Sequence, residues 1–135
     1  MKSRDAVLRL KRFDVAEKRR KAADLEMMIR DFEVMAADLD RQIATEEDRT
    51  GVRDLSHFAY STFAKAARAR RDNLRTSVED LMAKLNNAKR AVDESLADLA
   101  KLEAVEDRDL GRRGLERPAG GRFPTSSASR SPSRT

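Results

Sequence analysis

The chain has 135 residues, of which 39% are charged and 4% aromatic, and its formal net charge is +5. It has no Cys and a single His, His57, so a Cys/His zinc site, a disulfide scaffold and a thiolate nucleophile are excluded. No run of about 18 apolar residues occurs, so we expect no membrane-spanning helix. The first residues do not resemble a signal peptide, and we therefore expect a cytoplasmic protein.

The segment before Gly51 has the composition and the period of a long helix. No proline precedes Pro118, and Ala, Leu, Glu, Lys and Arg, which favour helix, dominate. Heptads counted from Leu8 place apolar residues at every a position and at three of five d positions. The a positions are Leu8, Val15, Ala22, Ile29, Ala36 and Ile43, and the d positions are Lys11, Lys18, Leu25, Phe32 and Leu39. We predict a first helix over about residues 3–48.

A joint is predicted over about residues 49–57. Gly51 can adopt the left-handed conformation that ends a helix. A short joint favours folding back, which predicts that the next helix runs antiparallel to the first. Four residues could cap the start of that helix: Asp54 or Ser56, or, with a later start, Ser61 or Thr62.

The heptad pattern continues after the joint. Eleven of the next fourteen a and d residues are apolar, which predicts a second helix over about residues 58–110. The a positions are Ala64, Arg71, Val78, Leu85, Val92, Leu99 and Glu106, and the d positions are Tyr60, Ala67, Leu74, Leu81, Ala88, Ser95 and Leu102. We therefore predict an all-α protein in which residues 1–110 form a long antiparallel two-helix coiled-coil hairpin.

Residues 111–135 carry the whole excess of positive charge. They contain six Arg and one Glu, whereas the residues before them contain equal numbers of basic and acidic side chains. All three prolines and four of the five glycines also lie here, so we predict a disordered tail. It is either a solvated appendage or a segment that binds nucleic acid or anionic membrane. The neutral charge of residues 1–110 disfavours nucleic-acid binding by the main body.

The sequence gives little support for catalysis. Asp54, Ser56 and His57 are the residue types of a hydrolytic triad, but a two-helix hairpin offers neither a pocket nor an oxyanion hole. Acidic residues that are adjacent on a helix do not converge as metal ligands must. We therefore predict no enzyme activity, no cofactor and no metal site, and a capping or surface role for His57.

Three of the six aromatic residues lie just after the joint, and a basic band follows them. One face of a hairpin cannot bury all three rings, so the run either packs locally to close the hairpin or binds a partner. Arg71 occupies an a position, where it either faces a partner's carboxylate or extends outward to water. The residues predicted to bind a partner are Phe58, Tyr60, Phe63, Lys65, Arg68 and Arg71.

Four methionines form a further feature of the coiled-coil region. Flexible methionine side chains fill irregular cores, and they also suit surfaces that accept varied partners. The residues are Met27, Met28 and Met35 on the first predicted helix and Met82 on the second.

Two stretches resemble a known family. Residues 8–20, LRLKRFDVAEKRR, resemble the start of the bacterial flagellar export protein FliJ. Residues 57–68, HFAYSTFAKAAR, are similar to the alphaproteobacterial members of that family. The resemblance covers about residues 1–109. The sequence after Gly111 departs from the family, whose members usually continue the second helix.

The resemblance implies an antiparallel coiled coil similar to the central stalk subunit of rotary ATP synthases. It implies a non-enzymatic component of the flagellar type III export apparatus, at the cytoplasmic face of the flagellar base. The implied partners are the ring of the export ATPase FliI, the export-gate protein FlhA and export chaperones, with membrane association only through the gate. A coiled-coil adaptor that uses the Arg-rich tail is the alternative, and a structural homodimer is a third interpretation.

Overall fold

The computed structural model of the protein describes the backbone of residues 2–116 and the side chains of residues 3–112. It contains two long helices, α1 (Lys2–Thr50) and α2 (Thr62–Glu116), and no strand among these residues. The helices pack against each other in opposite directions. The predicted all-α fold, a long antiparallel two-helix hairpin, is confirmed.

The first helix ends at the glycine that the sequence marks as its terminator. Gly51 has a φ of 73°. Its N–H donates to the carbonyl oxygen of Glu47 at 2.8 Å, which satisfies one of the carbonyls left without a partner at the helix end. This geometry is the left-handed C-terminal cap, and it extends α1 two residues beyond the predicted limit at residue 48.

The second helix begins later than the predicted start near residue 58. The Ser61 hydroxyl accepts a hydrogen bond from the Ala64 N–H at 3.1 Å, and the Ser61 carbonyl accepts one from the Lys65 N–H at 3.0 Å. Ser61 is therefore the N-cap, and it is one of the two residues predicted for a later start of the helix. The connection, called the loop below, comprises residues 51–61 rather than 49–57.

The second helix also ends later than predicted, at Glu116 instead of near residue 110. Gly111 lies within it, because a glycine weakens a helix interior by about 1 kcal/mol but does not prevent it from forming. Pro118 is a stronger obstacle, since it disfavours helical conformation at the residue before it. The remainder of the predicted disordered tail, residues 117–135, lies outside the described part of the chain.

The unit Arg12–Leu96 contains most of the apolar seam. Its a and d positions are buried or half-buried on both helices, as the heptad count predicts. Polar bonds also cross the seam. The Ser95 hydroxyl donates to Asp14 at 2.7 Å, and Arg71 contacts Asp40 at 3.0 Å. The buried seam positions are Val15, Ala22, Ile29, Ala36, Leu39, Ile43, Tyr60, Ala64, Ala67, Leu81, Ala88 and Ser95.

The other unit joins Met1–Lys11 to Ala97–Thr135. In its described part Leu8 is buried, and ion pairs connect the two helices. Arg4 lies 3.6 Å from Glu106 and also pairs with Asp109, while Lys11 lies 3.3 Å from Asp98. These pairs match the start of α1 with the end of α2, as an antiparallel arrangement requires.

Candidate functional site at the hairpin loop

The residues that resemble a catalytic triad form turns within the loop. The Asp54 carboxylate accepts hydrogen bonds from the Ser56 N–H at 3.0 Å and from the Ser56 hydroxyl at 2.8 Å. The His57 Nδ1 accepts the Ala59 N–H at 3.0 Å. The serine hydroxyl therefore donates to the carboxylate and not to the imidazole, which is not the arrangement that activates a serine nucleophile.

A buried polar cluster, here called the Glu47 clasp, joins the end of α1 to the loop and to α2. The clasp consists of Glu47, Tyr60 and Arg68. One Glu47 oxygen accepts hydrogen bonds from the Tyr60 hydroxyl and from the Arg68 guanidinium, both at 2.7 Å. Arg68 also donates to the Tyr60 hydroxyl oxygen at 2.7 Å, so each member of the clasp contacts the other two.

The clasp contains a charged side chain in a buried position, where charged groups are rare. Glu47 is only 7% exposed, and a buried carboxylate is tolerated when charged and hydroxyl donors satisfy it. The hydrogen bonds from Arg68 and from Tyr60 hold the pKa of Glu47 below its ordinary value. The clasp therefore contains an ionised glutamate near neutral pH.

A second connection runs beside the clasp. The Ser61 hydroxyl donates to Glu46 at 2.6 Å, and Arg49 donates to the other oxygen of the same carboxylate at 2.7 Å. The hydrogen bonds from Arg49 and Ser61 lower the pKa of Glu46 to about 2. Because Ser61 is also the N-cap of α2, this bond ties the start of that helix directly to the last turn of α1.

Three of the six residues predicted to bind a partner have contacts within the chain. Tyr60 is buried in the clasp, and Arg68 is half-buried in it. The Arg71 side chain is 15% exposed and contacts Asp40 of α1. Neither predicted alternative, a partner's carboxylate or extension to water, included this carboxylate of the same chain. These three residues hold the hairpin together.

The other three predicted residues are exposed. The Phe58 ring is 96% exposed and stacks on the His57 ring with centroids 4.7 Å apart. Phe63 is 55% exposed, and Lys65 is also exposed. Leu55 is a further exposed apolar residue, at 51%, that the heptad pattern does not single out because it lies in the loop.

The loop thus combines an ordered base with exposed apolar side chains. The clasp and the Glu46 bonds fix both ends of the loop, while Leu55 and Phe58 in the loop and Phe63 at the start of α2 are exposed. An aromatic ring that is exposed on a well-ordered support is typical of a protein-binding site, because burying it requires little additional ordering. We call Leu55, Phe58 and Phe63 the loop patch.

The described residues contain no group of three or more His, Cys, Asp or Glu side chains that could hold a metal ion. Neither α1 nor α2, within that same part of the chain, has a stretch apolar and long enough to cross a membrane. Comparison with models of known protein families, with curated proteins and with solved structures finds no match for the chain.

Proposed function

We propose that the protein is a non-enzymatic component of a flagellar type III export apparatus, where it binds the export ATPase ring and the export gate. The observation that carries the proposal is the hairpin itself, with a loop patch that presents Phe58 almost fully to water. The resemblance of residues 8–20 and 57–68 to the FliJ family adds the identity of the partners. A place at the cytoplasmic face of the flagellar base follows from those partners.

The cross-section of the hairpin supports a role inside or against a ring. In the unit Arg12–Leu96 two helices pack side by side, and a helix with its side chains is about 10–12 Å across. In this proposal such a pair enters the central opening of the ring. In this proposal ATP hydrolysis belongs to the ring, and the hairpin assists its assembly or turnover.

Within the proposal, the loop patch supplies the apolar anchor of a contact. Phe58 loses most of its exposed area when a partner covers it, which makes it the residue expected to contribute most to affinity. Lys65 is exposed on the first turn of α2, close in sequence to Phe63, and in this proposal it provides a polar contact to the partner. The Glu47 clasp does not contact the partner but holds the patch in a single conformation.

The test uses purified FliI and FlhA from the same organism as the chain. FliI ATPase activity and ring assembly are measured with and without the full chain, and FlhA binding is measured in parallel. We expect the chain to raise ring assembly or turnover. Absence of binding to both partners, with no change in FliI activity, would refute the proposal.

A pair of variants tests the loop patch. Phe58→Ala removes the exposed ring of the loop, and Phe13→Ala removes a ring that is 63% exposed on α1. Since both rings lie largely in water, neither change is expected to unfold the hairpin. We expect only Phe58→Ala to weaken partner binding. Equal effects of the two substitutions would show that the loop patch is not the contact site.

The concentration of positive charge after residue 110 favours the second candidate, an adaptor that binds nucleic acid or anionic membrane. That function predicts binding with a steep salt dependence, and deletion of residues 111–135 should abolish this binding. Full-length chain that binds neither RNA, DNA nor anionic vesicles at low salt would eliminate it. Light scattering on the same sample distinguishes a monomer from the homodimer of the third interpretation.

A further inference from the structure

A groove runs between the two helices within the unit Arg12–Leu96, on the side formed by d and g positions. Its volume is about 680 Å³. Leu81 and Ala88 of α2 form its buried floor, at 8% exposure each, while Leu25 is half-buried and Met28 is 43% exposed. Two helices cannot enclose both sides of an apolar stripe, so this side of the seam contacts water.

Lysines form the charged part of the groove wall. Lys21 of α1 and Lys84 of α2 lie on its two sides, and both are exposed. Neither has an ion pair with a side chain of residues 3–112. Lys18 also lines the groove, but its ammonium group contacts Asp14 at 2.6 Å. No carboxylate lines the groove among the described residues, so its rim is positive on both sides.

A second groove on the same side of the hairpin provides a comparison. It has a volume of about 450 Å³ and an apolar lining that includes Phe32, Met35 and Leu74. Asp38 and Arg70 both line it, so its rim carries one charge of each sign. The positive rim therefore distinguishes the first groove from the second, and we call the first one the lysine groove.

We propose that the lysine groove binds an amphipathic helix of another protein, whose apolar stripe is flanked on both sides by Glu or Asp. A third helix laid along the groove covers Leu25 and Met28 and completes the apolar packing that two helices leave open. Carboxylates on either side of its stripe then pair with Lys21 and Lys84. The flexible Met28 side chain adapts to stripes of different shape.

The charges argue for a different protein and against a second copy of this chain. A symmetric dimer that packs lysine groove on lysine groove brings Lys21 and Lys84 of one copy against those of the other. Repulsion between like charges across such an interface is unfavourable. The proposal depends on the groove alone, so failure of the flagellar assignment would leave it intact.

The probe is a fluorescein-labelled peptide of about 20 residues, designed as a helix with a Leu/Ala stripe flanked by Glu. A second peptide has the same stripe flanked by Lys. Binding of each to the full-length chain is measured by fluorescence anisotropy at low and moderate salt. We expect the acidic peptide to bind and the basic peptide to bind at least about 10-fold more weakly, a difference that corresponds to 1.4 kcal/mol.

Two matched variants identify the site. Lys84→Glu reverses a charge on the groove rim, and Lys89→Glu makes the same change at an exposed position of α2 outside the lining. The reversal removes one exposed ion pair with the peptide and adds one repulsion of similar size, so it should weaken binding of the acidic peptide roughly 2- to 30-fold. Lys89→Glu should change its affinity less than twofold.

Three outcomes would overturn the proposal. The first is that neither peptide binds at millimolar concentration. The second is that Lys84→Glu and Lys89→Glu weaken the acidic peptide equally, which would place binding elsewhere. The third is that light scattering finds a dimer that Met28→Glu dissociates, which would mean that a second copy occupies the groove.

Discussion

Replacing Leu39 by Ala should lower the stability of the hairpin more than the same replacement at an exposed leucine. Leu39 is 5% exposed and belongs to a cluster near the loop with Ile43 and Ala67, each 3% exposed. Half-buried Leu74 packs against this cluster from α2. The side chain therefore belongs to the interface between the helices, where its removal acts on both of them.

The magnitude follows from the atoms removed. Leu→Ala deletes three carbon atoms, and burial of each contributes about 0.8 kcal/mol, which gives roughly 2.4 kcal/mol. A residual cavity would add to this loss. Because Leu39 also borders the open groove that contains Phe32, neighbouring side chains or water can fill the space, so the addition is small. We expect Leu39→Ala to lower the free energy of unfolding by about 2–3 kcal/mol.

The assay is urea unfolding followed by two signals. Circular dichroism at 222 nm reports on all the helices. Tyr60 is the only tyrosine and the chain has no tryptophan, so intrinsic fluorescence reports on the Glu47 clasp alone. Coincident transitions would allow a two-state free energy to be extracted. A loss of this size corresponds to a decrease of roughly 10 °C in Tm.

The control is Leu10→Ala, because Leu10 is 71% exposed on the same helix. Leu10→Ala should change the free energy of unfolding by less than about 0.5 kcal/mol, since little apolar area is buried at Leu10 and Ala is the better helix former. Equal losses at Leu10 and Leu39, or a loss below about 0.5 kcal/mol at Leu39, would refute the assignment of the seam.

Three other measurements test the loop. Gly51→Ala places a side chain at a φ of 73° and should cost about 1–2 kcal/mol in urea unfolding, whereas an unchanged midpoint would show that the left-handed cap is not needed. Ser61→Ala removes the N-cap of α2 and should lower the free energy of unfolding by about 1 kcal/mol. Ser61→Asn preserves a capping side chain and should recover most of that stability. An equal loss of stability in both variants would exclude the capping role. The pKa values of Glu46, about 2, and of Glu47, also lowered, lie below the ordinary value of 4.5, so the unfolded chain binds protons first as the pH falls. The contribution of Glu46 should be complete above about pH 4.5 and decrease between pH 4.5 and 2, and that of Glu47 should also decrease below pH 4.5. Glu46→Gln should flatten the stability profile between pH 4.5 and 2, and an identical profile in the variant would contradict the lowered pKa of Glu46.

The seam was predictable because it depends only on local periodicity. A spacing of 3.5 residues places Leu8, Val15 and Ile43 on one stripe, and a stripe of this kind is buried whichever helix it meets. Gly51 was predictable for a similar reason, since few other residues accept its backbone conformation. These features follow from the sequence without knowledge of the partner helix.

The polar contacts across the hairpin were not predictable in the same way. Glu47 reads as a surface residue, and its burial results from Tyr60 and Arg68, which reach it only after the chain has folded back. The partner of Arg71 likewise depends on which residue of α1 lies opposite, and that alignment is set by the length of the loop. The heptad count leaves such pairings undetermined.

The Arg71–Asp40 and Ser95–Asp14 bonds also determine how the two helices are aligned. A heptad stripe repeats every seven residues, so a misaligned hairpin, shifted by one repeat, would retain many of its apolar contacts. Alanines make such slippage easier, since they differ little in shape, and the seam contains Ala22, Ala36, Ala67 and Ala88. A shift of seven residues separates Arg71 from Asp40 and leaves a largely covered guanidinium with only the neighbouring Asp72 as its carboxylate, which is unfavourable. The loop and a few charged and hydroxyl groups thus hold the hairpin in one alignment. The more numerous apolar residues stabilise the packing of the helices but discriminate little between one alignment and another.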